Sequence, residues 1–138
     1  MIYLDSSALM KLIRREDETD TLRQWLEQRP EQPVVTSELG RVEVLRAARR
    51  VGSQVLAEAR AVVGDLDLVS LDRAVQDVAC DVGEPTLRTL DALHLASALL
   101  LGDGVTAFVC YDERLAGAAH AVGLVVVSPG RPSPLEEG

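Results

Sequence analysis

The sequence predicts an α/β domain with a central, mostly parallel sheet of five strands flanked by helices. Five short apolar segments alternate with segments of helical periodicity, which is the pattern of strands joined by crossover helices. Apolar strands of this kind are typical of a sheet that helices cover on both faces. The chain has 138 residues, of which 47% are hydrophobic, so it is long enough for one domain with its own core.

The elements follow from the periodicity and from the turn residues between them. The predicted strands are residues 1–4, 34–36, 66–71, 107–110 and 124–127. The predicted helices are residues 7–15, 17–28, 38–51 with Ser37 as the cap, 53–64, 72–82, 89–101 and 112–122. Residues 1–127 then form the domain, and residues 128–138, which are rich in Pro, Gly and Glu, are expected to be a loose tail.

Composition limits the function classes. The formal net charge of −8 argues against a protein that holds nucleic acid mainly by neutralising phosphates. One predicted helix nevertheless carries four arginines, which are Arg41, Arg46, Arg49 and Arg50. This helix either faces RNA or an acidic partner, or its arginines are only solvated. Cys80 and Cys110 lack C-x-x-C spacing, so we expect two buried free thiols rather than a zinc site or a disulfide.

No segment resembles a signal peptide or a membrane span. Asp5 interrupts the first apolar stretch, and the longest apolar run, residues 90–101, is short and carries Asp91 and His94. We therefore expect a soluble cytoplasmic protein.

Acidic residues follow the predicted strands. Asp5 and Asp112 each end a strand and begin a helix, and ligands of open parallel sheets collect at this edge. The simpler interpretation is that each aspartate only caps its helix. Asp72 has the same local sequence, so at least one such aspartate is expected to be only a cap.

Two further acids lie on helices. Asp91 stands in the first turn of an otherwise apolar helix, where the helix dipole favours it by roughly 0.3–1 kcal/mol, and Thr89 competes with it as the cap. Glu43 lies inside a helix beside an expected apolar stripe of Leu39, Val42 and Leu45. It either pairs with Arg46 on the surface or leans over the sheet edge toward the other acids.

These acids lie in segments that resemble the four acidic motifs of PIN domains, most closely those of VapC-type toxins from bacterial toxin–antitoxin pairs. The segments are Tyr3-Leu4-Asp5-Ser6-Ser7-Ala8-Leu9, Glu38-Leu39 with Val42-Glu43-Val44, Leu90-Asp91-Ala92-Leu93-His94-Leu95-Ala96, and Tyr111-Asp112-Glu113-Arg114-Leu115. The similarity runs from residue 1 to about residue 127 and implies the three-layer PIN fold.

The resemblance implies a metal-dependent ribonuclease that acts as the toxin of a type II pair and inhibits translation. Asp5, Glu43, Asp91 and Asp112 would form the catalytic acidic pocket and bind the metal, while Asp72 and His94 stay outside it. A set of oxygen ligands selects a hard ion, Mg²⁺ or Mn²⁺. The implied partners are RNA, a VapB-like antitoxin and a second copy of the chain.

One position departs from the family pattern. Cys110 stands two residues before the last aspartate, where the family commonly has Thr or Ser, and a thiol is a poor hydrogen-bond donor. Ser6 or Ser7 is the expected substitute.

Two other classes compete with a nuclease. A degenerate PIN domain would serve only as a protein-binding module. Aspartyl-phosphate enzymes and receiver domains need a downstream lysine, and Lys11, the one lysine, lies too close to Asp5 in sequence. His94, on so apolar a helix, is expected to be a core histidine with a hydrogen-bond acceptor.

Overall fold

The computed structural model describes residues 1–132, and residues 133–138 lie outside the described part. The strands are β1 (Ile2–Leu4), β2 (Val34–Ser37), β3 (Asp67–Val69), β4 (Ala107–Val109) and β5 (Val126–Val127). They form one sheet in the order β3-β2-β1-β4-β5, and every neighbouring pair is parallel. The predicted five-stranded sheet is confirmed, with the first strand at its centre.

Seven α-helices connect the strands within the described residues. They are α1 (Ser6–Ile13), α2 (Thr19–Glu27), α3 (Glu38–Val51), α4 (Ser53–Gly64), α5 (Arg73–Asp81), α6 (Thr89–Leu101) and α7 (Glu113–Ala121). All seven were predicted, and the predicted ends agree with the structure to within two residues. Among residues 1–132, no helix is both long enough and apolar enough to cross a membrane.

Alternation along the central strand divides the core into two layers. Ile2 and Leu4 are fully buried on one face of the sheet, against the helices α1 to α4. Tyr3 is fully buried on the other face, with Phe108 of β4 and Leu95 of α6. Because successive strand residues point to opposite faces, three residues of β1 are enough to anchor both layers.

A side chain at the end of each of the first four strands caps the helix that follows. Asp5 accepts from Ala8 N, Ser37 from Gly40 N, Asp72 from Val75 N, and Asp112 from Arg114 N and Leu115 N. These bonds satisfy backbone N–H groups that have no partner within the helix. They also fix four polar side chains along the carboxyl edge of the sheet.

Two expectations about side-chain burial differ from the structure. The buried face of α3 is made by Gly40, Val44 and Ala48, whereas Val42, expected in an apolar stripe, is 49% exposed. Cys110 is buried as expected, but Cys80 is exposed because α5 contributes only Val75 to the core.

Residues 128–132 are held against the domain, in contrast to the expected loose tail. Ser128 Oγ donates to the carbonyl oxygen of Cys110 at 2.6 Å, and the Tyr111 hydroxyl donates to that of Pro129 at 2.7 Å. Arg131 donates to Glu18 Oε1 at 2.7 Å and to the carbonyl oxygen of Tyr111 at 3.1 Å. Composition alone predicted that this segment is loose. In the structure its polar side chains bond to buried partners. The rest of the predicted tail lies outside the described residues.

Candidate active site

Asp5 stands at the carboxyl end of the central strand, and it is both a helix cap and a buried acid. Its side chain is held by Ala8 N at 2.9 Å and by the Ser7 hydroxyl, which lies 2.7 Å from Oδ1 and 2.9 Å from Oδ2. Ser7 Oγ in turn accepts from Tyr111 N at 2.9 Å. Ser7 therefore ties Asp5 to the chain that leaves β4.

The buried carboxyl of Asp5 lacks a full counter-charge. Asp5 is 3% exposed, and burial raises its pKa even though the bonds from Ala8 N–H and Ser7 act in the opposite direction. A carboxylate removed from water needs a cation or a proton. A bound cation would therefore stabilise Asp5 in its ionised form.

Glu43 reaches the same region from α3. Its Oε1 accepts from Ser6 Oγ at 2.6 Å and lies 2.7 Å from His94 Nε2. Burial raises the pKa of Glu43, but the hydrogen bonds from His94 and Ser6 outweigh it, so the pKa is lowered overall. Among the ion pairs of residues 1–132 none joins Glu43 to an arginine, so the alternative of a surface pair with Arg46 is wrong.

Asp91 and Asp112 complete the acidic edge. Asp91 is the third residue of α6, and neither it nor Thr89 caps the helix, which begins after Arg88 without a side-chain cap. Burial raises the pKa of Asp91, and the charges of Asp112 and Asp5 raise it further, which outweighs the opposite effect of the Arg88 charge. Three aspartates from different elements thus lie close enough to repel one another.

Several carboxylate oxygens at this edge are open. Every buried side-chain oxygen of residues 1–132 has a hydrogen-bond partner. No hydrogen bond among these residues reaches Asp91, and Asp112 accepts its two capping bonds only on Oδ1. The oxygens of Asp91, Oδ2 of Asp112 and Oε2 of Glu43 therefore face solvent, where they are available to a ligand.

The four acids have the right chemistry for a hard divalent cation, but their side chains are not arranged around a common metal position. Four carboxylates with open oxygens are the ligands that Mg²⁺ or Mn²⁺ prefers. Within residues 1–132, however, no three His, Cys, Asp or Glu side chains are placed to hold a metal ion as they stand. Binding would require some of these side chains, foremost the unbonded Asp91, to rotate inward.

Cys110 takes no part in the acidic set as a charged ligand. Its thiol is buried and donates to the carbonyl oxygen of Asp112 at 3.3 Å. Burial raises the pKa of the Cys110 thiol, and the nearby charge of Asp5 raises it further, so the thiol stays protonated. Serine hydroxyls at residues 6 and 7 make the contacts to acids in this structure.

His94 is the residue whose connection the sequence did not reveal. It is 2% exposed, as expected of a core histidine, yet its acceptor is Glu43, one of the four acids. The signal was its position one turn after Asp91, on the same side of the helix. The partner stayed hidden because it lies 51 residues away in the chain, on α3. Asp72, by contrast, is only the cap of α5, as predicted.

A cleft of about 650 Å³ opens beside Asp91, between the loop before α6 and the surface of α7. Its lining residues include Arg88 and Arg114 and apolar residues such as Leu87, Ala118 and Val122. Neither arginine forms an ion pair within the described part of the chain. The acids therefore border a groove of mixed charge, in which Arg88 and Arg114 lie with Glu84 and Glu113 beside apolar surface.

Comparison with known proteins confirms the resemblance. The sequence profile of the PIN domain matches residues 2–121. Ribonuclease VapC35 of Mycobacterium tuberculosis is 45% identical over 133 residues, which cover 95% of this chain and 98% of that protein. Ribonuclease VapC46 of the same species is 43% identical over 128 residues, covering 93% and 97%.

Solved structures share the fold at low sequence identity. VapC20 of Mycobacterium tuberculosis, described as a toxin that cleaves the sarcin–ricin loop, aligns with a TM-score of 0.72 at 20% identity, covering 94% of this chain and 100% of that one. A toxin–antitoxin complex from Klebsiella pneumoniae aligns with a TM-score of 0.72 at 18% identity, covering 94% and 98%. Because profile, sequence and fold agree over nearly the whole length, this chain belongs to the PIN-domain family and, within it, to the VapC ribonucleases.

Proposed function

We propose that this chain is an endoribonuclease that hydrolyses RNA phosphodiester bonds with Mg²⁺ or Mn²⁺ held by Asp5, Glu43, Asp91 and Asp112. The observation that carries the proposal is the mutual repulsion at the carboxyl edge, where Asp112 and Asp5 raise the pKa of Asp91. Mutual repulsion among acids from separate elements supports the proposal, because a bound cation would relieve it. The relatives named as ribonucleases support the reaction class.

The protein residues have distinct tasks in this reaction. A divalent cation held by these acids would supply the positive charge that phosphate hydrolysis needs and would lower the pKa of the attacking water, which makes the water a better nucleophile. Asp5, fixed by Ser7 and Ala8 N, is the rigid member of the set. Glu43, whose pKa is lowered, is ionised and accepts a proton from, or orients, the attacking water. Asp91 and Asp112 close the site when they turn inward.

RNA is proposed to approach along the cleft beside Asp91. Arg88 and Arg114 offer bidentate contacts to phosphate, and the apolar wall offers a surface for a base. The four arginines of α3 are exposed as well and form no ion pair within residues 1–132, so they are open to RNA or to an acidic partner. Local positive charge thus compensates for the acidic chain as a whole.

The partner proposed for this chain is a VapB-like antitoxin, and the chain is its toxin, which would inhibit translation in the cytoplasm. The Klebsiella pneumoniae structure of the same fold is a toxin–antitoxin complex. A basic side chain of an antitoxin would relieve the repulsion among the acids in the same way as a metal. A second copy of this chain, forming a homodimer, completes the proposed assembly.

The alternative is an inactive PIN domain that only binds a partner protein. Two observations favour the binding module. The acids of residues 1–132 are not placed to hold a metal ion as they stand, and Cys110 occupies the position where the family commonly has Thr or Ser. The complete set of four acids, each with its supporting contacts or open oxygens, favours the enzyme.

The test is cleavage of total RNA by the purified chain with Mg²⁺ or Mn²⁺, with ends mapped by sequencing. Asp91→Asn should abolish cleavage, and EDTA should abolish it in the wild type. Asp72→Asn is the matched control, because Asp72 also follows a strand and caps a helix but lies outside the site. Cleavage that survives EDTA or Asp91→Asn would contradict the proposal, and folded protein inactive with every divalent ion would favour the binding module.

A further inference from the structure

A buried chain of hydrogen bonds links the middle of the core to the catalytic edge. The Tyr3 hydroxyl lies 2.8 Å from His94 Nδ1, and His94 Nε2 lies 2.7 Å from Glu43 Oε1 and 3.0 Å from Ser6 Oγ. Ser6 Oγ donates to the same Glu43 oxygen at 2.6 Å. The Tyr3–His94–Glu43 chain therefore joins β1, α6 and α3, and it ends on one oxygen of one acid.

The chemistry of the partners sets the direction of these bonds. An ionised Glu43 only accepts, so His94 Nε2 must carry a hydrogen and donate it. In the neutral imidazole Nδ1 then accepts, and Tyr3 is its donor. The Tyr3 hydroxyl is fully buried and lies 2.8 Å from Nδ1, so its hydrogen serves this bond. Tyr3 thus selects the imidazole tautomer that presents N–H to Glu43.

Packing prevents the imidazole from turning. Tyr3 stacks on Phe108 with 5.2 Å between ring centroids and meets the His94 ring edge-on at 6.0 Å. On the α3 side, a Cβ at Gly40 would lie 3.2 Å from His94 Cε1, so the helix backbone closes the pocket around the ring. The donor is therefore fixed in position as well as in tautomer.

From this geometry we infer that His94 is a positioning residue that holds Glu43 with Oε1 occupied and Oε2 turned to solvent for the cation or the attacking water. Without this anchor, a glutamate side chain that is 27% exposed samples several rotamers. The inference rests on the proposed ribonuclease function and assigns to a core residue a part in that reaction.

A purely structural role would give a different pattern of effects. A histidine that only fills the core changes stability, while Glu43 keeps its orientation. A positioning residue changes kcat and metal affinity with little effect on KM for RNA, since it does not touch the substrate. Residues that orient metal ligands in this way typically contribute 10–100-fold.

The test compares three substitutions of His94 in the full chain. His94→Gln places an amide N–H at the same number of bonds from Cα as Nε2, whereas His94→Asn places it at the level of Nδ1, and His94→Leu has neither. Tyr3→Phe removes only the tautomer-selecting donor. His120→Gln, on the exposed face of α7, is the control. The readouts are kcat and KM for RNA, and calorimetric titration of the metal-free protein with Mn²⁺.

We expect His94→Asn and His94→Leu to lose about 10–100-fold in kcat and in Mn²⁺ affinity. His94→Gln should recover to within a few fold of the wild type, Tyr3→Phe should lie between, and His120→Gln should be unchanged. If His94→Leu does not fold, the comparison of kcat and Mn²⁺ affinity between His94→Gln and His94→Asn tests the inference. Equal values for Gln and Asn, or wild-type kcat in His94→Leu, would overturn the inference alone. Absence of cleavage by the wild type would overturn the proposed function and the inference with it.

Discussion

The Ser7 hydroxyl lies 2.7 Å from Oδ1 of Asp5 and holds the most deeply buried of the four acids in place. The same hydroxyl accepts from Tyr111 N, so one serine joins the ends of the two central strands. This contact keeps Asp5 rigid but does not remove its need for positive charge, because burial still raises its pKa.

Asp5→Asn should abolish RNA cleavage and leave the metal-free protein as stable as the wild type, or more stable. Asparagine caps a helix as well as aspartate does and carries no buried charge. The native state binds the Asp5 proton more tightly than the unfolded state. Its contribution to stability is therefore full below the ordinary carboxyl pKa of about 4 and is lost as pH rises toward the raised native value.

The free energy of unfolding of Asp5→Asn, measured in urea, should thus increasingly exceed that of the wild type as pH increases above about 4. A variant that is less stable than the wild type at pH 7, measured without metal, would show that Asp5 has a compensating cation within the protein itself.

Gly40→Ala should destabilise the protein even though alanine favours helices. The new Cβ would lie 2.6 Å from Thr36 Oγ1 and 3.2 Å from His94 Cε1, and overpacking of this kind costs about 1–3 kcal/mol. Gly117→Ala is the matched control, because no atom lies within 4 Å of its Cβ on α7 and it should gain up to about 1 kcal/mol. If both variants changed the free energy of unfolding equally in chemical denaturation, the close approach of α3 to Thr36 and His94 would be contradicted.

Glu18→Gln should detach the C-terminal segment. Glu18 accepts from Lys11 and Arg131, which hold its pKa at about 2. The loss of these bonds should lower the free energy of unfolding by about 1–3 kcal/mol at neutral pH. A lowered native pKa gives stability that is present above the ordinary carboxyl value and lost as pH falls toward about 2.

The difference between Glu18→Gln and the wild type should therefore narrow on acidification below about pH 4. Limited proteolysis after residue 127 should accelerate in the variant. A difference that does not change between pH 7 and pH 2 would mean that the carboxylate charge of Glu18 contributes nothing to the attachment.

Arg88→Gln and Arg114→Gln should each raise KM for RNA several fold with little change in kcat. Both arginines line the cleft beside Asp91 and would contact phosphates remote from the reacting bond. Arg60→Gln, on the exposed surface of α4, serves as the control. Steady-state kinetics at two salt concentrations measure the effect, and unchanged KM in both cleft variants would place the RNA elsewhere.

The sequence predicted the sheet because short apolar segments alternate with segments of helical periodicity, and because a cap residue follows each of the first four strands. Both signals are local. Asp5, Asp112 and Asp72 look alike in that respect, and only the resemblance separated the first two from the third. Glu43 was recognised as unusual because a mid-helix acid needs no cap. Its link to His94 was not predicted, because a hydrogen bond between two helices far apart in sequence leaves no periodicity to detect.

The central claim is that the four acids bind a divalent cation between them. The most direct measurement is anomalous X-ray diffraction at the manganese edge from crystals of the full chain soaked in Mn²⁺. We predict a peak within ligand distance of Asp5 and Asp91, with the Asp91 side chain turned inward and with no peak in Asp91→Asn crystals. An active protein whose crystals show no manganese at these carboxylates would contradict the account.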